Sequence, residues 1–368
     1  MQKTLKFIKA NAVMLIAFIA AAVTTFIIPP DKKYIGYFDF KTLSCLFAVL
    51  AVVSALRNIR FFYTLAKSVV RLFKNTRLAI LALVYITFIG SMLIANDMAL
   101  LTFLPLGYFV LHTTKKERYM AFTFIMQNIA ANLGGMLTPF GNPQNLYLYS
   151  KFNIPDLEFV KIMLPPFLIS ITLITLCCLI FVKSEPLIIE EKAASLPIPR
   201  VIAYLILFAL SILIVFRGIP YLIGLGIIVA ALFFLDRKAL LDVDYGLLLT
   251  FVFFFIFSGN MARIGAVRDF FSFLLEKNTL VFSALSCQII SNVPSAVLLS
   301  QFTDNYKELL LGVNIGGVGT MISSLASLIT FREYSSHSKG HTLAYVFKFS
   351  LFNFAFLLIL ILFCSIIK

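Results

Sequence analysis

The chain contains no tryptophan, and only 13% of its residues are Asp, Glu, Lys or Arg. A soluble domain carries about 25% charged residues. No segment is long and polar enough to form a separate soluble domain, and hydrophobic residues reach 61% against the usual 45–50% or so. Several apolar runs attain the ~20 residues a spanning helix needs. These features define an all-α polytopic membrane protein. Without tryptophan, interfacial anchoring falls to Tyr, Lys and Arg. Cysteines are few: Cys45, Cys177, Cys178, Cys287 and Cys364 all sit inside apolar runs. None has zinc-ligand spacing, so they read as reduced packing residues and no transition-metal site is expected. A Walker A loop is missing, as is any catalytic triad signature, so neither ATP hydrolysis nor an enzyme is expected. Acids are scarce as well, and the net charge is +14. In a soluble protein that would point to nucleic acid. In a membrane protein Lys and Arg mark cytoplasmic loops, so the expected partners are the lipid bilayer and a small molecule, with no nucleic acid.

Charge bias and breaks in the apolar runs give a topology. Lys3, Lys6 and Lys9 put the N-terminus inside. The first span, from about Ala12 to Ile28, is too long for a cleaved signal and lacks a small-residue cleavage site, so it reads as retained. A second span follows from about Thr42 to Leu56. Arg57 to Arg77 holds Arg57, Arg60, Lys67, Arg71, Lys74 and Arg77 and no acid. Residues 60, 67, 71 and 74 fall on one helical face, which predicts a basic amphipathic helix on the cytoplasmic surface. Leu78 to Leu111 is apolar except at Asn96-Asp97, and both of its flanks are basic. That predicts a re-entrant hairpin entering from inside, with Asn96-Asp97 at its tip. The chain then crosses outward from about Met120, is interrupted at Gly134–Asn145, and returns over about 160–182.

Two further spans (about Val201–Val215 and Ile219–Leu235) lead to a second copy of the pattern. Tyr245–Met261 crosses outward, Thr279–Phe302 breaks at Ser291–Pro294, and Leu309–Phe331 is interrupted at Gly316–Gly319. The last span, Thr342–Ile367, puts the C-terminus outside. Thr42 thus corresponds to Tyr245, Arg60 to Arg263, Asn96 to Asn292 and Gly134 to Gly316. The first copy begins outside and the second inside, so the repeat is inverted. The organisation expected is an N-terminal half (1–182), a cytoplasmic linker (183–200) and a C-terminal half (201–368). The two halves hold about nine spanning helices and two re-entrant hairpins. The protein is expected in the cytoplasmic membrane.

Chemistry is expected at the tips and breaks. Unwound backbone and small polar groups at membrane depth survive only when buried in protein or lining a wet cavity. Paired breaks in corresponding halves point to a transporter's binding site. Asp97 is a carboxylate at membrane depth and so a functional candidate by default, able to take a proton or ligate Na⁺. Asn96 and Asn292 each supply a donor and an acceptor, and Ser291 and Ser295 add hydroxyls. Thr138, Asn142, Thr320, Ser323 and Ser324 are candidate contributors from the breaks. Substrate contacts are therefore expected from Asn96, Thr138, Asn142, Ser291, Asn292, Ser295, Thr320 and Ser323. Ion coupling is expected at Asp97, Asn96, Gly134, Gly135, Asn145, Asn292, Gly316 and Gly317, where glycine permits close backbone approach. The coupling ion is Na⁺ or H⁺, and no other cofactor is expected. Gln127, Asn128, Asn132, Asn260 and Asn314 read as interhelical hydrogen-bonding residues. The function expected is secondary active transport of a small organic or inorganic anion, with a sodium/proton (cation/proton) antiporter or an arsenite-type efflux permease as the alternative.

These residues resemble the ion transporter superfamily, which includes citrate and dicarboxylate transporters, divalent anion/sodium symporters, the arsenite efflux membrane subunit and a class of sodium/proton antiporters. The matching text is Ala95-Asn96-Asp97 with Leu104-Pro105, and Asn132-x-Gly-Gly-x-x-Thr-Pro-x-Gly-Asn-Pro-Gln-Asn145. The second half adds Ser291-Asn292-Val293-Pro294-Ser295 and Val313-Asn314-Ile315-Gly316-Gly317. The resemblance implies two sodium sites, each between a tip and its neighbouring break, with substrate between the tips. It also implies a homodimer with an elevator-like transport domain. The tips here read Ala-Asn-Asp and Ser-Asn-Val where the family has Ser-Asn-Thr. Asp97 and the Gly-Asn-Pro-Gln-Asn run are closer to the arsenite and antiporter-like branch.

Overall fold

In a computed structural model, residues 12–187, 196–338 and 340–367 are described. Lys3, Lys6, Lys9 and the middle of the linker lie outside them. Among the described residues the chain forms seventeen α-helices. They are α1 (Ala12–Ile27), α2 (Phe40–Asn58), α3 (Phe61–Val70), α4 (Thr76–Ile94), α5 (Asn96–Thr113), α6 (Met120–Gly134), α7 (Pro143–Lys151), α8 (Asp156–Phe181) and α9 (Ile198–Val215). The remainder are α10 (Tyr221–Leu235), α11 (Arg237–Leu241), α12 (Tyr245–Arg263), α13 (Gly265–Ile290), α14 (Asn292–Leu299), α15 (Tyr306–Ile315), α16 (Leu325–His337) and α17 (Thr342–Ile366). Seven helical segments are long and apolar enough to cross a membrane: α2, α4, α8, α9, the run Arg237–Arg263, α13 and α17. The helices α1 and α10 are apolar but shorter. Apolar helices of this length satisfy their backbone internally, as lipid demands, and the protein is an all-helical polytopic membrane protein.

Two helical hairpins dominate the interior. In each, one residue reverses the chain, and that residue has the same rare backbone: Ala95 at φ 65, ψ 152 and Ser291 at φ 75, ψ 159. Positive φ is uncommon outside glycine. At both tips the following Asn compensates, because its Oδ1 accepts from the next backbone N–H. Asp97 N donates to Asn96 Oδ1 and Val293 N to Asn292 Oδ1, both at 2.9 Å. The breaks match as well. The chain leaves α6 at Gly135 (φ −62, ψ −11) and α15 at Gly316 (φ −69, ψ −11). It re-enters a helix from extended Asn142 and extended Ser324. The first arm of each hairpin packs on the helix before its own break, α4 on α6 and α13 on α15. The second arm packs across the halves, α5 on α16 and α14 on α7. Outside this interior, α1 packs along α12, and α9 and α10 pack on α2.

The basic surface segment is a shorter helix than the charge pattern predicts. It covers only Phe61–Val70, and Lys67 is buried rather than solvent-facing. The reason is its packing against α4 and α5, which brings the Lys67 ammonium 4.9 Å from the Phe109 ring centroid. The start of the linker is a strap across the base of the first hairpin. Thr76 N donates to Glu185 O (2.8 Å), Leu187 N to Lys74 O (3.0 Å) and Arg77 Nε to Val182 O (2.7 Å). The Glu185 carboxylate holds Lys116 at 2.6 Å and also pairs with Arg118.

Candidate functional site

The two tips meet at one cavity of about 100 Å³. Asn96 and Asp97 line it from the first hairpin, and Ser291, Asn292, Val293 and Pro294 from the second. Pro143 and Gln144 enter from α7, Asp244 to Thr250 from α12, and Leu325, Leu328 and Arg332 from α16. The cavity therefore receives five helix N-termini: α5, α7, α12, α14 and α16. A helix N-terminus carries about half a positive charge, and at four of the five one first-turn N–H is already held by a side-chain oxygen: Asp97 N by Asn96, Leu247 N by Asp244, Val293 N by Asn292 and Ser327 N by Ser324. Local sequence explains why the helices start there. Asn142-Pro143 combines an extended residue with proline at the first helical position. Asp244 Oδ1 accepts from Leu247 N at 2.9 Å, and Ser324 Oγ accepts from Ser327 N at 3.2 Å, so both are side-chain N-caps.

A chain of amides ties tips to breaks. Asn96 Nδ2 donates to Asn132 Oδ1 at 3.3 Å. Asn142 Nδ2 donates to Asn132 O and to Asn314 Oδ1, each at 3.3 Å. Asn314 Nδ2 donates to Asn145 Oδ1 at 2.6 Å, joining the helix before the second break to the helix after the first. Asn145 Nδ2 in turn serves three freed carbonyls, those of Gly135, Met136 and Thr138, at 3.2–3.3 Å. Gly317 stands where everything converges. A Cβ there would lie 3.2 Å from Asn292 Nδ2 and 3.3 Å from Asn132 Oδ1. On the second tip, Asn292 N donates to Ser323 O at 2.9 Å. Buried amides in such a network rigidify a core, and within it the Asn142 Oδ1 alone of the amide oxygens named here is left without a hydrogen-bond partner.

Of the residues the sequence singled out, Asn96, Asp97, Ser291 and Asn292 face the cavity. The others serve the surrounding frame. Thr138 Oγ1 donates to Met92 O at 2.7 Å, and Thr320 Oγ1 to Gln288 O at 3.0 Å. Ser323 Oγ donates to Gly317 O (2.9 Å) and Thr320 O (2.7 Å), and Ser295 Oγ shares a hydrogen bond with Ser286 Oγ at 2.9 Å. Asn142 and Asn145 belong to the amide chain above. Gly134, Gly135 and Gly316 are packed so closely that a Cβ would meet Phe88 O at 2.2 Å, Asn142 Oδ1 at 2.5 Å and Gly312 O at 2.7 Å, respectively. Further polar residues join helices: Gln127 donates to Thr87 Oγ1, Asn128 to Asn353 Oδ1 and Asn260 to Thr24 Oγ1.

Four cavity residues escaped the sequence reading: Gln144, Asp244, Thr250 and Arg332. Gln144 sits inside the Gly-Asn-Pro-Gln-Asn run, and its place right after a helix-starting Pro was the available signal. Asp244 and Arg332 stand beside the ends of apolar runs, and nothing local marks them. Together the cavity holds two carboxylates, Asp97 and Asp244, and one guanidinium, Arg332. Two buried acceptors on it have no hydrogen-bond partner: Asp97 Oδ1 and Gln144 Oε1, the latter on a side chain only 1% exposed. A buried acceptor without a donor is expensive. A bound cation can satisfy either atom, and a proton on the carboxylate removes the need at Asp97.

The sequence profile of the citrate transporter family matches residues 3–306. An uncharacterised transporter of Methanocaldococcus jannaschii is 35% identical over 296 residues, 80% of this chain and 81% of the relative. The inner membrane protein YbiR of Escherichia coli is 28% identical over 321 residues, 84% of each chain. A silicon efflux transporter of Oryza sativa subsp. japonica is 28% identical over 156 residues, 42% of this chain and 31% of the relative.

Proposed function

The chain belongs to the citrate transporter family, and from that premise we propose that this membrane transporter is a secondary active carrier moving a small organic or inorganic anion across the cytoplasmic membrane. Coupling is to Na⁺ or H⁺ through Asp97, with no other cofactor. The observation that carries the reading is the single cavity to which five helix N-termini and both hairpin tips contribute. Converging N-termini favour negative charge. The orphaned oxygens of Asp97 and Gln144 favour a cation beside it. An anion and a coupling cation bound together neutralise each other where neither alone is comfortable, which is what symport requires.

In this reading the hairpins are re-entrant from opposite sides, and the halves are inverted repeats with about nine spans between them. The N-terminus lies inside and the C-terminus outside. The carrier works as a homodimer. The matched backbone angles at Ala95 and Ser291 and at the two glycine breaks support the repeat.

A second reading has its own observation. Two carboxylates against one guanidinium leave the cavity's side chains net negative, which suits a cation/proton antiporter or an arsenite-type efflux permease. The rice relative's name extends the latter to silicon efflux. The test is uptake into proteoliposomes under imposed Na⁺ and H⁺ gradients, with citrate, succinate, sulfate, arsenite and silicic acid offered in turn. Gradient-driven accumulation of an anion is the expected result. Na⁺-driven proton movement with no solute uptake would replace the first reading with the antiporter.

A further inference from the structure

A second polar cavity lies away from the tips, where α2 ends and α3 begins. It has a volume of about 310 Å³, and Arg57, Arg60, Tyr63 and Thr102 contribute its polar groups. The two arginines have no carboxylate partner among the described residues. Arg57 reaches only Met98 Sδ (3.2 Å) and Asp242 O (3.5 Å). Arg60 is exposed, sits in left-handed backbone at φ 57 and makes no side-chain cap to α3. Thr102 Oγ1 donates its proton to Met98 O at 2.8 Å, so the cationic donors of the cavity are the two guanidinium groups. Two guanidinium groups converging on one cavity with no acid between them match an oxyanion, above all phosphate, which arginine grips through paired N–H donors.

The surroundings choose the source of that phosphate. α2 is one of the segments long and apolar enough to span the membrane. Arg57 in its last turn and Arg60 just beyond it thus stand at headgroup depth, where long basic side chains settle. Leu101 and Pro105, both exposed, line the same cavity and give it an apolar wall. A free phosphate ion would leave that apolar wall bare, whereas a lipid covers it with its acyl chain. The 57–77 stretch, with six basic residues and no acid, supplies the wider attraction to anionic lipid.

We propose that this cavity binds the headgroup phosphate of an anionic phospholipid, with Arg57 and Arg60 on the phosphate and Leu101 and Pro105 along the chain. The inference is independent of which solute the carrier moves. The experiment places the full chain in phosphatidylcholine nanodiscs with or without phosphatidylglycerol. Retained lipid is read by native mass spectrometry, and melting temperature is followed in parallel. Wild type should retain phosphatidylglycerol preferentially and melt higher with it. Arg57→Gln with Arg60→Gln should weaken that retention on the order of thirtyfold, while Arg71→Gln with Lys74→Gln, in the same basic stretch but outside the cavity, should leave it nearly intact. Arg60→Gln alone, at an exposed position that the fold tolerates, should weaken it about fivefold. Equal losses in the two double variants, or no preference for phosphatidylglycerol in wild type, would overturn the site. Inorganic phosphate matching the lipid's effect in pure phosphatidylcholine would overturn the lipid assignment.

Discussion

Asp97 Oδ1 and Gln144 Oε1 are acceptors held in the same cavity with nothing to accept from. That pair makes a prediction specific to single atoms. Asp97→Asn keeps size and shape but loses the charge, so gradient-driven uptake should be lost while the melting temperature stays close to wild type. Undiminished uptake in that variant would remove Asp97 from coupling. Gln144→Leu keeps the bulk and removes the whole amide, its orphaned acceptor with its N–H donors. The coupling-ion concentration giving half-maximal rate should rise about tenfold or more, by analogy with a lost hydrogen bond to a charged group. Glycines give a contrasting pair. At Gly134 a Cβ would press on the Phe88 backbone carbonyl at 2.2 Å, which cannot yield. Gly134→Ala should therefore destabilise by about 1–3 kcal/mol or more through overpacking. At Gly317 the neighbours are the Asn292 and Asn132 side-chain amides at 3.2 and 3.3 Å and the Asn314 backbone carbonyl at 3.2 Å, a full ångström farther than the carbonyl at Gly134, so a shift of a few tenths of an ångström relieves all three. Gly317→Ala should fold normally yet transport poorly, because the amides it displaces are Asn292 of one tip and Asn132, the partner of the other. Thermal melting and uptake measured side by side separate the two cases.

Among the elements, the strap 182–187 gives the clearest handle. It crosses the base of the first hairpin, and Glu185 anchors it. The hydrogen bond from Lys116, and then that from Arg118, hold the Glu185 carboxyl below its ordinary value of 4.5. A carboxyl whose pKa is lowered by folding contributes its stabilisation above the unfolded value, and loses it as pH falls through the folded one. The strap should thus be firm at neutral pH and loosen only in acid. Glu185→Gln should remove that dependence and speed amide exchange at Thr76 and Leu187, whose N–H groups bond across the strap. Unchanged exchange at both would mean the backbone bonds suffice alone. Elements of this kind also mark what the sequence could and could not convey. The tips and breaks were legible because Asn96-Asp97, Ser291-Asn292 and the paired glycines interrupt runs that lipid would otherwise keep apolar. The hydrogen bonds of the hydroxyls were not legible: Thr138 and Thr320 donate to carbonyls of the hairpin arms, Met92 and Gln288, which lie far off in sequence, and Ser323 donates to Gly317 within its own break. Asp244 and Arg332 were invisible because only the crossing of distant helices brings span-end charges to the cavity. The inward turn of Lys67 likewise depends on Phe109, forty-odd residues away.

Across the whole molecule, α7, α12 and α14 share one arrangement. Each begins at the central cavity and runs toward a second cavity of about 420 Å³ lined by Tyr37, Lys151, Gly259 and Gln301. Between the two lies an aromatic layer. Tyr147 packs its ring 6.4 Å from Phe251 and 5.5 Å from Phe255, centroid to centroid, and shares a hydrogen bond with Ser300 Oγ at 3.0 Å. The layer joins α7 of one half to α12 and α14 of the other, so it parts only if the halves move relative to each other. In the carrier proposed above such motion is the alternating-access step, and the intact layer is the barrier that keeps solute from running downhill through the resting molecule. Tyr147→Phe keeps the ring and drops the hydroxyl, so preloaded vesicles should hold their solute much as wild type does. Tyr147→Ala removes the ring, leaves a cavity costing about 3–5 kcal/mol, and opens a route between the two cavities. Vesicles carrying it should leak the transported anion with no ion gradient imposed, and uptake driven by a gradient should fall in proportion. The comparison is made on protein whose melting curve still reports a folded state. Tight vesicles with Tyr147→Ala would show that the barrier lies elsewhere, and that the second cavity is not on the path.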